Sequence, residues 1–141
     1  MIRVTDVGSK VILRTEITEP NTQPKFKRMY VRYNAQSWIL WGGGCRPLVG
    51  LDGCYLKGKF GGHILSATAR DGNDNIFPVA LGVIEQENND SWVWFLQTFA
   101  DDIGRPNELN LVFILDRQKV IQQFTCFLIL LFVLNHYISA F

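Results

Sequence analysis

The sequence predicts one α/β domain built on a mixed sheet, and three observations predict it. Six segments rich in β-branched and aromatic residues recur between turn residues, at 11–15, 26–33, 48–56, 63–70, 76–85 and 109–116. One stretch, 91–103, instead spaces Trp92, Phe95, Leu96 and Phe99 by three and four, the helical period. The order is three strands in a meander, a helix, and a further strand that a crossover can bring parallel to the first of the three.

Length and composition fit this reading. A chain of 141 residues can bury one core, and 48% hydrophobic with 19% charged residues excludes wholesale disorder. The net charge of +1 announces no nucleic-acid partner in bulk, so a basic footprint has to be local. Cys45, Cys54 and Cys126 form no CxxC pair, and His63 and His136 lack zinc-finger spacing. Reduced thiols in an intracellular protein are expected, and a structural zinc site is not.

Each element has its own signal. The loose alternation of residues 1–18 yields a short strand at 11–15. Pro20 and Pro24 bracket a turn that cannot continue a ladder. The next strand, 26–33, carries Lys27, Arg28 and Arg32, which read either as phosphate contacts or as a solvated strand face. Residues 34–40 suit a short helix or turn, and Gly42, Gly43 and Gly44 a hinge. No GxxxxGK[ST] and no helix-opening GxGxxG accompanies that triplet, so it is not read as a phosphate loop.

The glycine-rich turn 57–62 joins strands 48–56 and 63–70 into a hairpin. Residues 71–75 form a second turn, with types that tolerate left-handed backbone. Pro78 suits an edge position for strand 76–85. Asp90 or Ser91 is the expected helix N-cap, and Gly104 with Pro106 the stop. The last strand, 109–116, is almost continuously apolar, as a central strand covered on both faces would be. Arg117, Gln118 and Lys119 then open what reads as a second helix.

Two carboxylates stand out. Asp52 lies inside the apolar run 47–56, where a buried carboxylate costs several kcal/mol unless it is paired or holds a cation. Asp116 ends the last strand, 116 − 52 = 64 residues later. Aspartates on neighbouring strands suit hard divalent ions such as Mg²⁺ or Mn²⁺, and two such ions can drive phosphodiester displacement. The plain alternative is that a strand-end aspartate only forms a turn or caps a helix.

A series of motifs bears on the choice: Gly44-Cys45-Arg46-Pro47, residues 50–58 (GLDGCYLKG), residues 70–80 (RDGNDNIFPVA), residues 85–88 (EQEN), residues 91–96 (SWVWFL) and Asp116-Arg117-Gln118-Lys119. In this order it resembles the plant Mutator-like element (MULE) transposases. The resemblance begins near Phe26 and runs to about Lys119. It implies an RNase H-like fold, a mixed sheet flanked by helices and incomplete at the C-terminus. It divides the chain into a lead-in segment 1–43, a partial catalytic domain 44–119 and an apolar tail 120–141.

The resemblance also implies a chemistry. Asp52 matches the first and Asp116 the second carboxylate of a DDE-type triad holding Mg²⁺ or Mn²⁺. The reaction would be DNA strand cleavage and transfer at transposon ends. Arg46, Lys57, Lys59, Arg117 and Lys119 would be the local DNA contacts, and the location nuclear. Leu115 and Val120 stand where the family usually has serine and glycine. No Asp or Glu follows Asp116 to serve as the third acid, and the family's zinc-binding segments are missing. The expectation is a transposase fragment inactive alone. The alternative is a non-enzymatic derivative that binds DNA or a full-length transposase.

Residues 120–141 leave three readings open: sequence foreign to the family joined at Lys119, a membrane anchor reaching across only with its polar residues at the interface, or a core helix of the domain.

Overall fold

A computed structural model describes residues 8–34, 45–103 and 112–115, with backbone alone for 45–47 and 115. In chain order the elements are β1 (Lys10–Glu16), β2 (Lys25–Arg32), β3 (Cys45–Tyr55), β4 (His63–Asp71), β5 (Ile76–Ile84), α1 (Asn89–Ile103) and β6 (Val112–Leu115). The six strands form one sheet in the order β1-β2-β5-β4-β3-β6. All neighbours are antiparallel except β3 and β6, which run parallel. The expected α/β class, the meander and the parallel return strand are all present.

Strand alternation sorts the side chains onto two faces. Val49, Leu51, Leu65, Ala67, Ala69 and Ile84 point to one face and are buried there with Trp92, Phe95 and Phe99 of α1. Burying each large side chain of that stripe contributes about 1.5–3 kcal/mol. Phe95 is the centre, with its ring 6.0 Å from Tyr30, 6.2 Å from Trp92 and 6.4 Å from Phe99. It lies so close to Gly82 that an added Cβ there would stand 2.7 Å from Phe95 Cδ2.

The turns follow their chemistry. In the β3–β4 hairpin, Leu56 N–H donates to Gly62 O at 2.9 Å, and Gly62 takes φ +102°. A Cβ on Gly62 would also stand 2.9 Å from Ile84 O, so glycine is required twice over. In the β4–β5 turn, Asp71 Oδ1 accepts the N–H groups of Asn73 at 2.8 Å and Asn75 at 2.9 Å, while Asp74 adopts φ 65°.

Three expectations need correction. β5 is interior, between β2 and β4, so Pro78 is not on an edge strand. The sheet accepts it because the β4–β5 register shifts there, pairing Ala67 with Ala80 but Thr68 with Pro78, and because the β2 pairing stops at Ala80. The helix cap is Asn88, whose Oδ1 accepts the Ser91 N–H at 2.9 Å. The buried Ser91 hydroxyl donates instead to Gln86 O at 2.7 Å. Finally, β6 is an outer strand among the described residues, with Val112 and Ile114 exposed, not a strand covered on both faces. The readings at 35–44, the close of α1 at Gly104 and Pro106, the helix after Asp116 and the whole tail lie outside the described residues.

Polar contacts tie β1 and β2 to α1. Asp102, in the last turn of α1, has a side chain only 3% exposed. It accepts the Tyr30 hydroxyl at 2.8 Å and the Arg32 Nε–H, with Lys10 Nζ at 3.7 Å. Arg28 donates to both carboxylate oxygens of Glu85 and lies 5.6 Å from the Trp94 ring. Arg28 and Arg32 are therefore neither phosphate contacts nor a solvated face; they hold the sheet to its helix.

Candidate functional site

Asp52 sits on β3 opposite Ser66 of β4. Alternation places it with Gly50 and Cys54, on the face away from α1. Its side chain is exposed, so the desolvation argument that first singled it out does not apply. The apolar run around it is buried through Val49 and Leu51, which point the other way. Asp52 Oδ1 accepts the Gly53 N–H at 2.8 Å. Ser66 Oγ approaches the Asp52 carbonyl at 3.5 Å.

The parallel ladder aligns Leu48 with Val112, Val49 with Phe113, Gly50 with Ile114 and Leu51 with Leu115. The offset is 112 − 48 = 64, equal to the separation of Asp52 and Asp116. The described ladder stops one residue short of that pair, and Asp116 lies outside the described residues.

The expected DNA contacts divide in the same way. Lys57 and Lys59 are exposed in the β3–β4 hairpin turn, with Lys59 Nζ 6.0 Å from the Phe60 ring. Arg46 is placed by its backbone on β3, and Arg117 and Lys119 lie outside the described residues.

One acidic residue near Asp52, Glu87, stands in the sequence motif 85–88 without a role assigned to it there. The Glu87 carboxylate lies over Gly53, with Oε1 only 2.7 Å from where a Cβ would stand, and Oε1 accepts the Trp92 Nε1–H at 3.3 Å. Gly53 and Asp52 point to opposite faces, so Glu87 packs against the strand without joining Asp52. Its signal was the pairing of a glycine beside Asp52 with an acid just before the helix cap.

Asp52 supplies a hard oxygen donor of the kind Mg²⁺ and Mn²⁺ prefer. Among the described residues no group of three or more His, Cys, Asp or Glu gathers around a common point. Asp52 thus fits such an ion as one ligand, and the others have to come from elsewhere. No helix among the described residues is long and apolar enough to cross a membrane.

Comparison with curated proteins and with solved structures yields no match. The family model of the MULE transposase domain matches residues 48–127, which is 127 − 48 + 1 = 80 of the 141 residues. This segment includes Asp52, β3 from Leu48 onward, β4, β5, α1, β6 and Asp116. The chain belongs to the MULE transposase domain family.

Proposed function

We propose that this chain is part of a DDE-type transposase catalytic domain with an RNase H-like fold, that Asp52 and Asp116 form its metal-holding pair, and that it does not cut or join DNA alone. The observation that carries this is the common offset of 64 between the β3–β6 ladder and the two aspartates. One further step of that ladder would set Asp116 beside Asp52. Strand order supports the fold, because β5-β4-β3-β6 is an antiparallel meander with a parallel fourth strand returned through α1.

Within the proposal, Asp52 and Asp116 would both lie at the carboxyl end of the parallel pair. A divalent ion bound there would stabilise charge during in-line displacement at phosphorus. Lys57 and Lys59 would meet backbone phosphates from the adjacent hairpin, helped by Arg46, Arg117 and Lys119. The location follows the family and is nuclear. Asp52 and Asp116 by themselves hold an ion weakly, and strand transfer would need a further carboxylate beside them.

Binding of Mn²⁺, followed by electron paramagnetic resonance, tests the pair. Weak binding that is lost in both Asp52→Asn and Asp116→Asn is expected. Binding untouched by either substitution sinks the metal assignment. Cleavage of terminal-repeat DNA in Mg²⁺, abolished by Asp52→Ala, overturns the inactivity.

A further inference from the structure

The β3–β4 hairpin ends in a side chain that the fold does not use. Gly61 N–H donates to Gly58 O at 3.3 Å, closing a turn with Lys59 and Phe60 at its two central positions. Glycine supplies the left-handed backbone there, with φ +61° at Gly61 and +102° at Gly62, so the turn does not call for an aromatic residue. Phe60 is nevertheless 94% exposed, the most exposed large apolar side chain among the described residues. A single exposed apolar residue is ordinary. This one is set among cations. Lys59 Nζ lies 6.0 Å from its ring, and Lys57 stands just before the turn. Neither lysine enters a salt bridge among the described residues. No Asp or Glu stands between Asp52 and Asp71. A second exposed ring, Tyr55, lies at the foot of the turn and meets the His63 ring edge-on at 5.2 Å.

We propose that this hairpin tip binds an unpaired stretch of DNA, with a nucleobase stacked on Phe60 and the adjoining phosphates held by Lys57 and Lys59. A single strand alternates π-faces with backbone charges, and an exposed ring beside two ammonium groups matches that alternation. In a duplex the bases already cover one another, so the ring selects the unpaired state. The role of Phe60 rests on the proposed phosphate contacts of Lys57 and Lys59, and adds to them a choice of strand state. Position favours DNA over a lipid surface or a second copy. β3 runs from Asp52 into the turn, and Phe60 follows Asp52 by 60 − 52 = 8 residues, at most about 29 Å of chain. A strand held at the tip therefore reaches the carboxyl end of β3 within about eight nucleotides.

Fluorescence anisotropy of the full chain with a labelled short oligothymidine, and with a duplex of the same length, tests it. Phe60→Ala should weaken single-strand binding about fivefold to a hundredfold, the loss of one base stack, and leave duplex binding unchanged. Phe60→Trp should restore it, while Phe60→Leu, apolar but without a π-face, should stay as weak as Phe60→Ala. Lys57→Ala with Lys59→Ala should weaken both forms and flatten the salt dependence, by about 1.4 in log–log slope on the single strand. The Phe60 variants should fold as the wild type does, since the side chain is exposed. Single-strand binding that is absent, or unchanged by Phe60→Ala, overturns the role of Phe60, and a salt effect of the lysine pair then leaves the phosphate contacts standing. A lysine pair without effect on either form overturns both. Equal losses on the two forms from Phe60→Ala, or recovery with Phe60→Leu, also overturn the stacking. Binding to phosphatidylserine vesicles that falls with Phe60→Ala, while oligothymidine binding does not, marks a membrane surface and overturns it equally.

Discussion

Replacing Asp102 with alanine should be among the most damaging single changes outside the aromatic core. The carboxylate is 3% exposed and faces an Arg32 side chain 11% exposed, with the fully buried Tyr30 beside it. Removing it leaves a guanidinium without its charge partner, which costs about 3–5 kcal/mol at a buried pair. The Tyr30 hydroxyl also loses its acceptor, a further penalty of about 1–3 kcal/mol that overlaps with the first. Lys10 adds little, because its side chain is 41% exposed. A loss near 4 kcal/mol, at roughly 4 °C per kcal/mol for a domain of this size, lowers Tm by about 15 °C. Thermal unfolding followed by circular dichroism measures it. The triple change Asp102→Leu, Arg32→Met and Tyr30→Phe removes the polar groups together and should recover most of the loss. A single Asp102→Ala shift below about 1 kcal/mol would refute the claim that this cluster fastens β2 to α1.

Other outcomes follow from the same geometry. Burial, then the Asp102 charge and the hydrogen bond to it, push the Tyr30 phenol well above its ordinary 10.0. A raised value means stability present below pH 10.0 and lost above it, as the unfolded phenol ionises first; alkaline denaturant titrations should show Tyr30→Phe removing about 1.4 kcal/mol per pH unit of that slope. Burial alone would raise the Glu85 carboxyl, but the Arg28 hydrogen bonds and charge outweigh it and hold it below 4.5, so its contribution is lost as pH falls through that region. Glu85→Gln should flatten the acid limb of the stability curve. Gly53→Ala should cost less than about 1 kcal/mol in urea melts, because the end of the flexible Glu87 side chain can give way, and less still when Glu87→Ala has cleared the space above it. Gly82→Ala should cost more, about 1–3 kcal/mol, because the atom it meets is the fixed ring of Phe95 and not the end of a flexible chain.

Local chemistry made much of the fold readable. The strands and the helix follow from periodicity, and the two hairpin turns from their glycines and Asx residues. What stayed hidden depended on three-dimensional neighbours. β5 reads as an edge strand because of Pro78, until a bulge and the short reach of β2 make room for proline in the interior. Asp52 was picked for burial in an apolar run, although alternation already set it with Gly50 and Cys54 on the other face. Its expected partner, Asp116, stands 64 residues on, the offset of the β3–β6 register, and itself lies outside the described residues. Asp102 was missed, yet it stands three residues after Phe99 and seven after Phe95, on the apolar stripe of the helix. A carboxylate at that phase of a helix is a sign of a buried partner, and Arg32 was the cation to look for.

The attachment of β1 and β2 has a practical meaning for the boundaries of the molecule. The family match opens at residue 48, but the sheet does not. A protein expressed from that point would keep Asp52 and Asp116 but lose Arg46 and the strand that lines one flank of β5. Tyr30 would leave a void beside Phe95, and Asp102 would be stranded as a bare anion on the helix that roofs the core. The segment that recurs across a transposase family and the segment that can stand up by itself are thus different lengths of chain, and the second is the one to clone.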